Sequence, residues 1–193
     1  MNKVLPAIVI TAMALPFQAT AASQDYEYPY VGVAGGIAAL DDLCDDVDGS
    51  CDDDVALFRV YSGARLLPNF ASEVGYTHMR KFGVSGYRVR PQAVDITTHF
   101  IWPAANNLDI FAKAGAFIWR TKIDVDADEF PDAADLDGTE TGIDFKTGLG
   151  IRVGLTEMIS LRADYTYIPN FGNSDIGGTD DMQKVRGALE FQF

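Results

Sequence analysis

The sequence predicts an all-β protein, namely an eight-stranded antiparallel up-and-down transmembrane β-barrel. Apolar and polar residues alternate along several segments, as they do in strands that have one apolar and one polar face. After residue 22, no segment has the roughly 18 consecutive apolar residues that a membrane-spanning helix needs. The connections between the segments are alternately long and short, which is typical of outer-membrane barrels.

The first element is a predicted secretory signal peptide at residues 1–21. Lys3 gives it a positive start, a short apolar core follows, and Ala19 to Ala21 form a small-residue cleavage pattern. The core is too short to span a membrane as a helix. We expect residues 22–29 to be a short periplasmic segment and residues 30–193 to be the outer-membrane barrel.

The alternation is clearest near the C-terminal end of the chain. In residues 145–155, apolar side chains share one face, whereas Lys146, Arg152 and three glycines share the other. Residues 159–167 and 185–193 repeat this pattern, so each segment is predicted to be a strand. The complete set of predicted strands is 30–38, 55–65, 70–79, 89–102, 108–119, 144–154, 159–168 and 183–193.

The connections predict the orientation of the barrel. In chain order they are about 16, 4, 9, 5, 24, 4 and 14 residues long. In an antiparallel meander, all long connections then lie at one end, and outer-membrane barrels place their long loops outside the cell. We therefore expect both chain termini to be periplasmic.

The size of the side chains predicts which face of each strand is inward. A soluble barrel such as a lipocalin also has alternating strands, but its apolar face points inward. Here the polar faces combine charges with many glycines, which suits a narrow interior. The opposite faces carry bulky apolar residues, with aromatic rings near the strand ends where lipid head groups lie. These rings belong to Phe70, Trp102, Tyr165, Tyr167, Phe191 and Phe193.

The inward faces are predicted to hold a network of charges. Unpaired charges in a narrow interior are costly, so eight cations and five carboxylates should form ion pairs that fill the barrel. The alternative is a selective lining of a narrow pore for ions or small solutes. The predicted network is Arg59, Arg65, Glu73, Asp95, Asp109, Lys113, Lys146, Arg152, Arg162, Asp164, Lys184, Arg186 and Glu190.

Three segments resemble known outer-membrane proteins. Residues 185–193 end in Phe193, with Leu189 and Phe191 at alternate positions before it, and resemble the terminal signal that the barrel-assembly machinery recognises. Residues 145–157 and 161–167 resemble the OmpA-like family of small outer-membrane barrels. This resemblance implies a Gram-negative outer-membrane location and a role in envelope integrity, adhesion or small-solute passage. Because the chain ends at the predicted eighth strand, we expect no periplasmic peptidoglycan-binding domain.

The predicted external loops carry most of the acidic residues and both cysteines. Residues 39–54, 120–143 and 169–182 contain 19 of the 28 acidic residues. Cys44 and Cys51 lie seven positions apart; in an oxidising compartment they are expected to form a disulfide, and a zinc site would need more ligands. The third loop approaches a calcium-binding spacing but lacks its glycine and terminal Glu. Its weak candidate ligands are Asp124, Asp126, Asp128, Asp132 and Asp135.

The second predicted external loop has the opposite sign. Arg80, Lys81, Arg88 and Arg90 surround Phe82 and Tyr87. This basic and aromatic cluster could contact the phosphates of lipopolysaccharide. Pairing with the neighbouring acidic loops is the other interpretation.

Composition and motifs limit the function. An acidic chain with pI near 4.3 is a poor partner for nucleic acid, whose binding needs Lys and Arg. His78 and His99 are the only imidazoles, and no Ser–His spacing resembles that of the outer-membrane lipid-A acyl-transfer or deacylase barrels. We therefore predict a scaffold or adhesin-like barrel with no cofactor. A narrow pore is the alternative, and a lipid-modifying enzyme ranks below it. Expected partners are outer-membrane lipid, lipopolysaccharide, the barrel-assembly machinery and a host or phage surface ligand.

Overall fold

A computed structural model describes residues 27–40, 51–52, 54–84, 87–125, 138–173 and 178–193. Eight long strands dominate these residues. Cys51–Asp52 pairs with Phe82–Val84, which in turn pairs with the fourth long strand. The long strands are β1 (Tyr28–Leu40), β2 (Asp54–Leu67), β3 (Phe70–Met79), β4 (Tyr87–Ala105), β5 (Leu108–Val125), β6 (Gly138–Gly154), β7 (Ile159–Asn173) and β8 (Gly178–Gln192).

The eight strands form a closed antiparallel barrel. Each strand pairs with the next along the chain, and β8 returns to pair with β1, where Tyr30 lies opposite Gln192 and Ile37 opposite Val185. Closure leaves no unpaired edge between β1 and β8. The predicted fold class is therefore confirmed. Among the described residues, no helix is long and apolar enough to cross a membrane.

The two ends of the barrel differ. The turns at Pro68–Asn69, Asn106–Asn107 and residues 155–158 share one end, which we call the turn end. Tyr28 and Gln192 also lie there, and the amide of Phe193 donates a 3.2 Å hydrogen bond to the carbonyl of Pro29. The opposite end, where the longer connections leave the barrel, is called the loop end.

The outward face is an apolar band along all eight strands. Ile37, Ile143, Leu149 and Val185 each expose more than half of their surface to the surroundings. Along each strand, the residues that alternate with these point inward. Lys146 and Arg186, for example, are almost completely buried. The face that the alternation pattern predicted to be lipid-facing is therefore the outer surface.

One irregularity interrupts the β7–β8 ladder near the loop end. The register shifts between Asp180 and Met182, and Asn170 adopts a left-handed φ of 51°. Asn tolerates this conformation better than most residues. The carboxylate of Asp181 accepts the N–H of Asn170 at 3.0 Å and the hydroxyl of Tyr167, so the extra residue is accommodated as a bulge.

Candidate functional site

Asp95 pairs with two cations inside the barrel. The guanidinium of Arg59 binds it through two nitrogens at 2.7 and 3.1 Å, and Nζ of Lys146 lies 2.5 Å from Oδ1. The hydroxyl of Thr97 donates a further hydrogen bond at 2.9 Å. β2, β4 and β6 are thereby connected inside the barrel.

Glu73 forms a second centre with two guanidinium groups. Arg59 and Arg162 each approach one of its oxygens at 2.7 Å. The hydroxyl of Tyr30 donates to the same carboxylate at 3.2 Å. Nε2 of His99 lies 3.9 Å away, and the His99 ring stacks on Phe111 with centroids 5.1 Å apart.

Arg162 connects the remaining carboxylates to this centre. Its nitrogens lie 3.5 Å from Asp164 and 3.7 Å from Glu190. Asp164 also pairs with Lys113 and, at 2.6 Å, with Arg186. Since Glu73 is on β3 and Arg162 on β7, four strands apart around the barrel, this side chain joins opposite walls.

At the turn end the network opens into a recess of about 1080 Å³. Asp109 lies at its edge, 2.8 Å from Arg65 and 3.7 Å from Arg152. Arg152 turns inward to Glu190 at 2.8 Å. Arg65 also donates to the carbonyl of Pro68, which attaches the network to the first turn.

Lys184 differs from the other lumen cations. It is 2% exposed, but among the described residues no carboxylate lies within ion-pair distance of its ammonium. Instead, Nζ lies 3.6 Å from the centre of the Phe117 ring, a cation–π contact. With this exception, the predicted lumen residues form one connected set in which all five carboxylates are paired. Every member is buried except Asp109, which is half-buried.

Sequence reasoning missed two apolar layers inside the barrel. Near the loop end, eleven buried side chains form a cluster in which Trp119 and Phe171 pack 5.3 Å apart. Nearer the turn end, Tyr30 and Tyr61 pack edge to face at 6.3 Å. The loop-end layer is Ala38, Leu40, Val55, Leu57, Met79, Ala93, Phe117, Trp119, Ile168, Phe171 and Met182, and the turn-end layer is Tyr30, Ala34, Tyr61, Ala71, Ile101 and Phe111.

Glycines make room for the largest lumen side chains. A Cβ on Gly75 would lie 2.3 Å from the Arg59 guanidinium, and one on Gly142 would lie 2.4 Å from the Trp119 ring. Both contacts are far inside van der Waals distance. Glycine is therefore required at these two positions by close approach, which is the interior crowding that the polar faces predicted.

The loop-end rim carries exposed charges of both signs. His78 lies opposite Gln92, which lies opposite Arg120, and all three point outward. Arg80 and Lys81 follow His78 and are also exposed. Elsewhere on the rim, the hydrogen bond from Tyr167 and that from the Asn170 amide lower the pKa of Asp181, because they stabilise the carboxylate.

Several predicted site residues are placed only partly. Cys44, Asp126, Asp128, Asp132 and Asp135 lie outside the described residues, and only the backbone is described for Cys51, Asp124, Phe82, Tyr87, Arg88 and Arg90. The disulfide and calcium predictions therefore stay predictions. Phe191 and Phe193 are both exposed on the outward face of the turn end, next to the partly buried Leu189. Among the described residues, no hydroxyl is hydrogen bonded to His78 or His99.

Comparisons with known proteins agree with this geometry. The model of the OmpA-like transmembrane domain family matches residues 24–193. Outer membrane protein A of Shigella flexneri is 26% identical over 125 residues, covering 62% of this chain and 34% of that protein. The protein of the same name from Yersinia pseudotuberculosis is 22% identical over 200 residues, covering 100% of this chain and 56% of the relative. The chain thus spans about a third of the first relative and just over half of the second.

Solved structures show the same fold at low sequence identity. Neisserial surface protein A superposes with a TM-score of 0.64 at 15% identity, covering 86% of this chain and 97% of that one. Ail, the attachment invasion locus protein of Yersinia pestis, has a TM-score of 0.57 at 10% identity, covering 89% and 100%. Both similarities concern the barrel fold.

Proposed function

Because the chain belongs to the OmpA-like transmembrane domain family and is thus an outer-membrane β-barrel, we propose that it acts as a closed, non-catalytic scaffold for surface contacts. The loop end faces the outside of the cell, and the turn end with both termini faces the periplasm. This orientation follows the usual arrangement of long external loops and short periplasmic turns.

The filled lumen is the observation that carries the scaffold proposal. One apolar cluster lies on the loop-end side of the paired ion network, and the second is interleaved with the network nearer the turn end, where Tyr30 donates to Glu73 and Tyr61 to Glu190. Barrels of eight strands are only just wide enough for side chains. An ion crossing this interior would have to displace Trp119 and Phe171 and break buried pairs around Arg162. Both steps oppose conduction.

A narrow pore is the second candidate, and one observation favours it. The predicted network holds eight cations but five carboxylates, and Lys184 has no carboxylate within ion-pair distance among the described residues. An excess of positive charge is typical of a lining for anions. The pore is opposed by the apolar layers, which no hydrated ion passes cheaply.

Planar-bilayer recording on the refolded protein separates the two candidates. A scaffold gives no stable unitary openings, and Lys113→Gln or Arg152→Gln leaves the recordings unchanged. Stable openings whose conductance or anion preference changes in these variants would establish a pore. Trp119→Ala serves as a control for leak, because it removes part of one apolar layer while leaving the ion network intact.

We further propose that the external loops contact a cationic surface. Ail has been determined in complex with sucrose octasulfate, a heparin analogue and hence a polyanion. The predicted external loops of this chain hold 19 of its 28 acidic residues, so their field repels polyanions and attracts basic patches. The surface role is therefore similar in kind to attachment but opposite in the charge of the partner.

Adherence of bacteria expressing the protein tests this surface role. Replacing Asp124, Asp126, Asp128, Asp132 and Asp135 together by Asn should reduce adherence to host cells several-fold. Adherence of the unmodified protein should fall with added salt and with added heparin, because that polyanion would occupy the basic patches of the partner. Glu157→Gln, at the turn end, is the control and should have no effect. Adherence that heparin leaves unchanged, or that the loop variant retains, would contradict a cationic partner.

A further inference from the structure

We infer that the loop-end rim of β3, β4 and β5 binds the phosphate groups of lipopolysaccharide. We call this surface the basic rim and define it by His78, Arg80, Lys81, Gln92 and Arg120. The inference rests on the proposed orientation, in which the loop end lies in the outer leaflet. It assigns a lipid ligand to a surface that has no role in the proposed scaffold or in the proposed contacts of the acidic loops.

The basic rim is continuous across three neighbouring strands. The Cα pairs His78–Gln92 and Gln92–Arg120 place these residues in one outward row. Arg80 is held near this row because its amide donates a 2.9 Å hydrogen bond to the carbonyl of Ala56 on β2. Sequence reasoning grouped Arg80 and Lys81 with the residues that follow them, but it could not connect Arg120, which reaches the row only through strand pairing.

The height of the basic rim matches a lipid head group. Two residues along each strand toward the turn end, the next outward row consists of Tyr76, Val94 and Ile118. This row belongs to the apolar band. The cations therefore lie directly above the hydrocarbon zone. Arg and Lys at such a boundary keep their stems along apolar surface and their charged groups in the head-group region.

The chemistry of the exposed groups fits phosphate. A guanidinium can bind a phosphate through two parallel hydrogen bonds, and an ammonium adds a point charge. Arg80, Lys81 and Arg120 are available for this purpose. Among the described residues, no carboxylate lies within ion-pair distance of any of the three. This favours a lipid ligand over pairing with the part of the acidic surface that the structure describes.

Two described residues elsewhere on the loop-end rim carry the opposite charge. Asp54 on β2 is exposed, and Asp181 on β8 lies on the outward face. β3–β5 and β8 are on different sides of the barrel. An anionic lipid is therefore attracted to one sector of the rim and repelled from another. The inference thus predicts that lipopolysaccharide binds at one sector and is not distributed evenly around the barrel.

Titration of the refolded barrel in neutral detergent micelles with purified lipopolysaccharide tests the basic rim. The triple variant Arg80→Gln, Lys81→Gln, Arg120→Gln should bind about tenfold more weakly or worse, since it loses three charge-assisted contacts. Lipopolysaccharide stripped of its phosphates should bind the unmodified barrel as weakly as the intact lipid binds the variant. Asp54→Asn, in the acidic sector, is the control and should not weaken binding.

Two results would overturn the inference. Equal affinity of the triple variant and the unmodified barrel would show that these cations do not hold the lipid, and equal affinity for phosphorylated and stripped lipid would show that phosphate is not the ligand. Because micelles impose no orientation, this titration is independent of the proposed placement in the cell. An epitope inserted within residues 126–137 and probed on intact cells tests that placement separately.

Discussion

Lys184 is the lumen cation whose surroundings favour its charge least. The contact with the Phe117 ring is worth about 0.5–2 kcal/mol. The effective cost of removing an ammonium from water is several kcal/mol. Because the second quantity is larger and no described carboxylate lies within ion-pair distance of the ammonium, the charge of Lys184 opposes folding. The neighbouring Met182 shows that this part of the lumen accepts apolar side chains.

Lys184→Met should therefore stabilise the barrel. We expect the free energy of unfolding to rise by on the order of 1 kcal/mol, measured by urea titration in lipid vesicles with tryptophan fluorescence as the signal. Lys113→Met is the matched comparison, because Lys113 is equally buried but pairs with Asp164. It should lower the stability by about 3 kcal/mol. If both variants lose stability equally, Lys184 has a partner that offsets its burial.

Gly75→Ala tests the close approach between β3 and Arg59. The new methyl would lie 2.3 Å from Nη2 of Arg59, which pairs with Asp95, while Nη1 of the same guanidinium pairs with Glu73. Relief therefore requires breaking an ion pair. We expect a loss of about 1–3 kcal/mol in the same titration. Gly187→Ala is the control, since nothing lies within 4 Å of its added Cβ. A harmless Gly75→Ala would mean that Arg59 moves freely.

At the scale of elements, the bulge in β7 depends on Asp181. The carboxylate is the acceptor for both the Asn170 amide and the Tyr167 hydroxyl. Without it, the left-handed residue loses its only described side-chain support. The loop-end part of the β7–β8 ladder should then open more often, because irregular strand ends are where local unfolding begins.

Asp181→Ala should accelerate amide hydrogen exchange at Asn170 and leave exchange at Ala163, deep in the β7–β8 ladder, unchanged. Lowering the pH should act in the same direction in the unmodified protein. The pKa of Asp181 is lower folded than unfolded, so its stabilising effect is present above the unfolded pKa and is lost as the pH falls through the folded one. Asp54→Ala is the control, and an identical effect there would refute a specific role for Asp181.

The same bulge explains where sequence reasoning stopped. The sequence predicts that the seventh strand ends at residue 168, and the residues that follow, Pro169, Asn170 and Gly172, are of turn-forming types. In the structure Asn170 supplies the left-handed position of a bulge, and the strand continues to Asn173. A residue that favours a turn locally was retained in a strand by contacts from β8, which the linear pattern does not contain.

The inward charges could be predicted, whereas the apolar layers could not. Alternation identified Arg59 and Asp95 as inward because large polar residues cannot face lipid. Aromatic residues such as Phe117 and Trp119 can face either lipid or the lumen. Only the alternation along β5, which places them on the same face as Lys113, indicated that they point into the lumen. Their places depend on space left by glycines of β6, such as Gly142 beside Trp119. That complementarity is set by strand register, which short-range patterns do not determine.

For the whole molecule, Arg162 is the side chain that most directly resists deformation of the barrel. It starts on β7 and reaches Glu73 on β3 across the lumen, with Glu190 of β8 and the Tyr61 ring nearby. Backbone hydrogen bonds join neighbouring strands only. Arg162 adds a link between walls that are four strands apart, so its loss affects the cross-section and not a single ladder.

Arg162→Met should consequently lower the temperature at which the folded barrel is lost in SDS. A closed barrel that remains folded in SDS migrates differently before and after boiling, and the transition is read from gels of samples heated to increasing temperatures. Removing one partner of a buried ionic network costs about 3–5 kcal/mol, because Glu190 and Glu73 lose a cation that the apolar layers cannot replace. Arg120→Met makes the same chemical change on the exposed rim and should leave the transition unchanged. Equal transitions for both variants would mean that the strand ladders alone hold the cross-section, and the lumen network would then contribute no measurable stability.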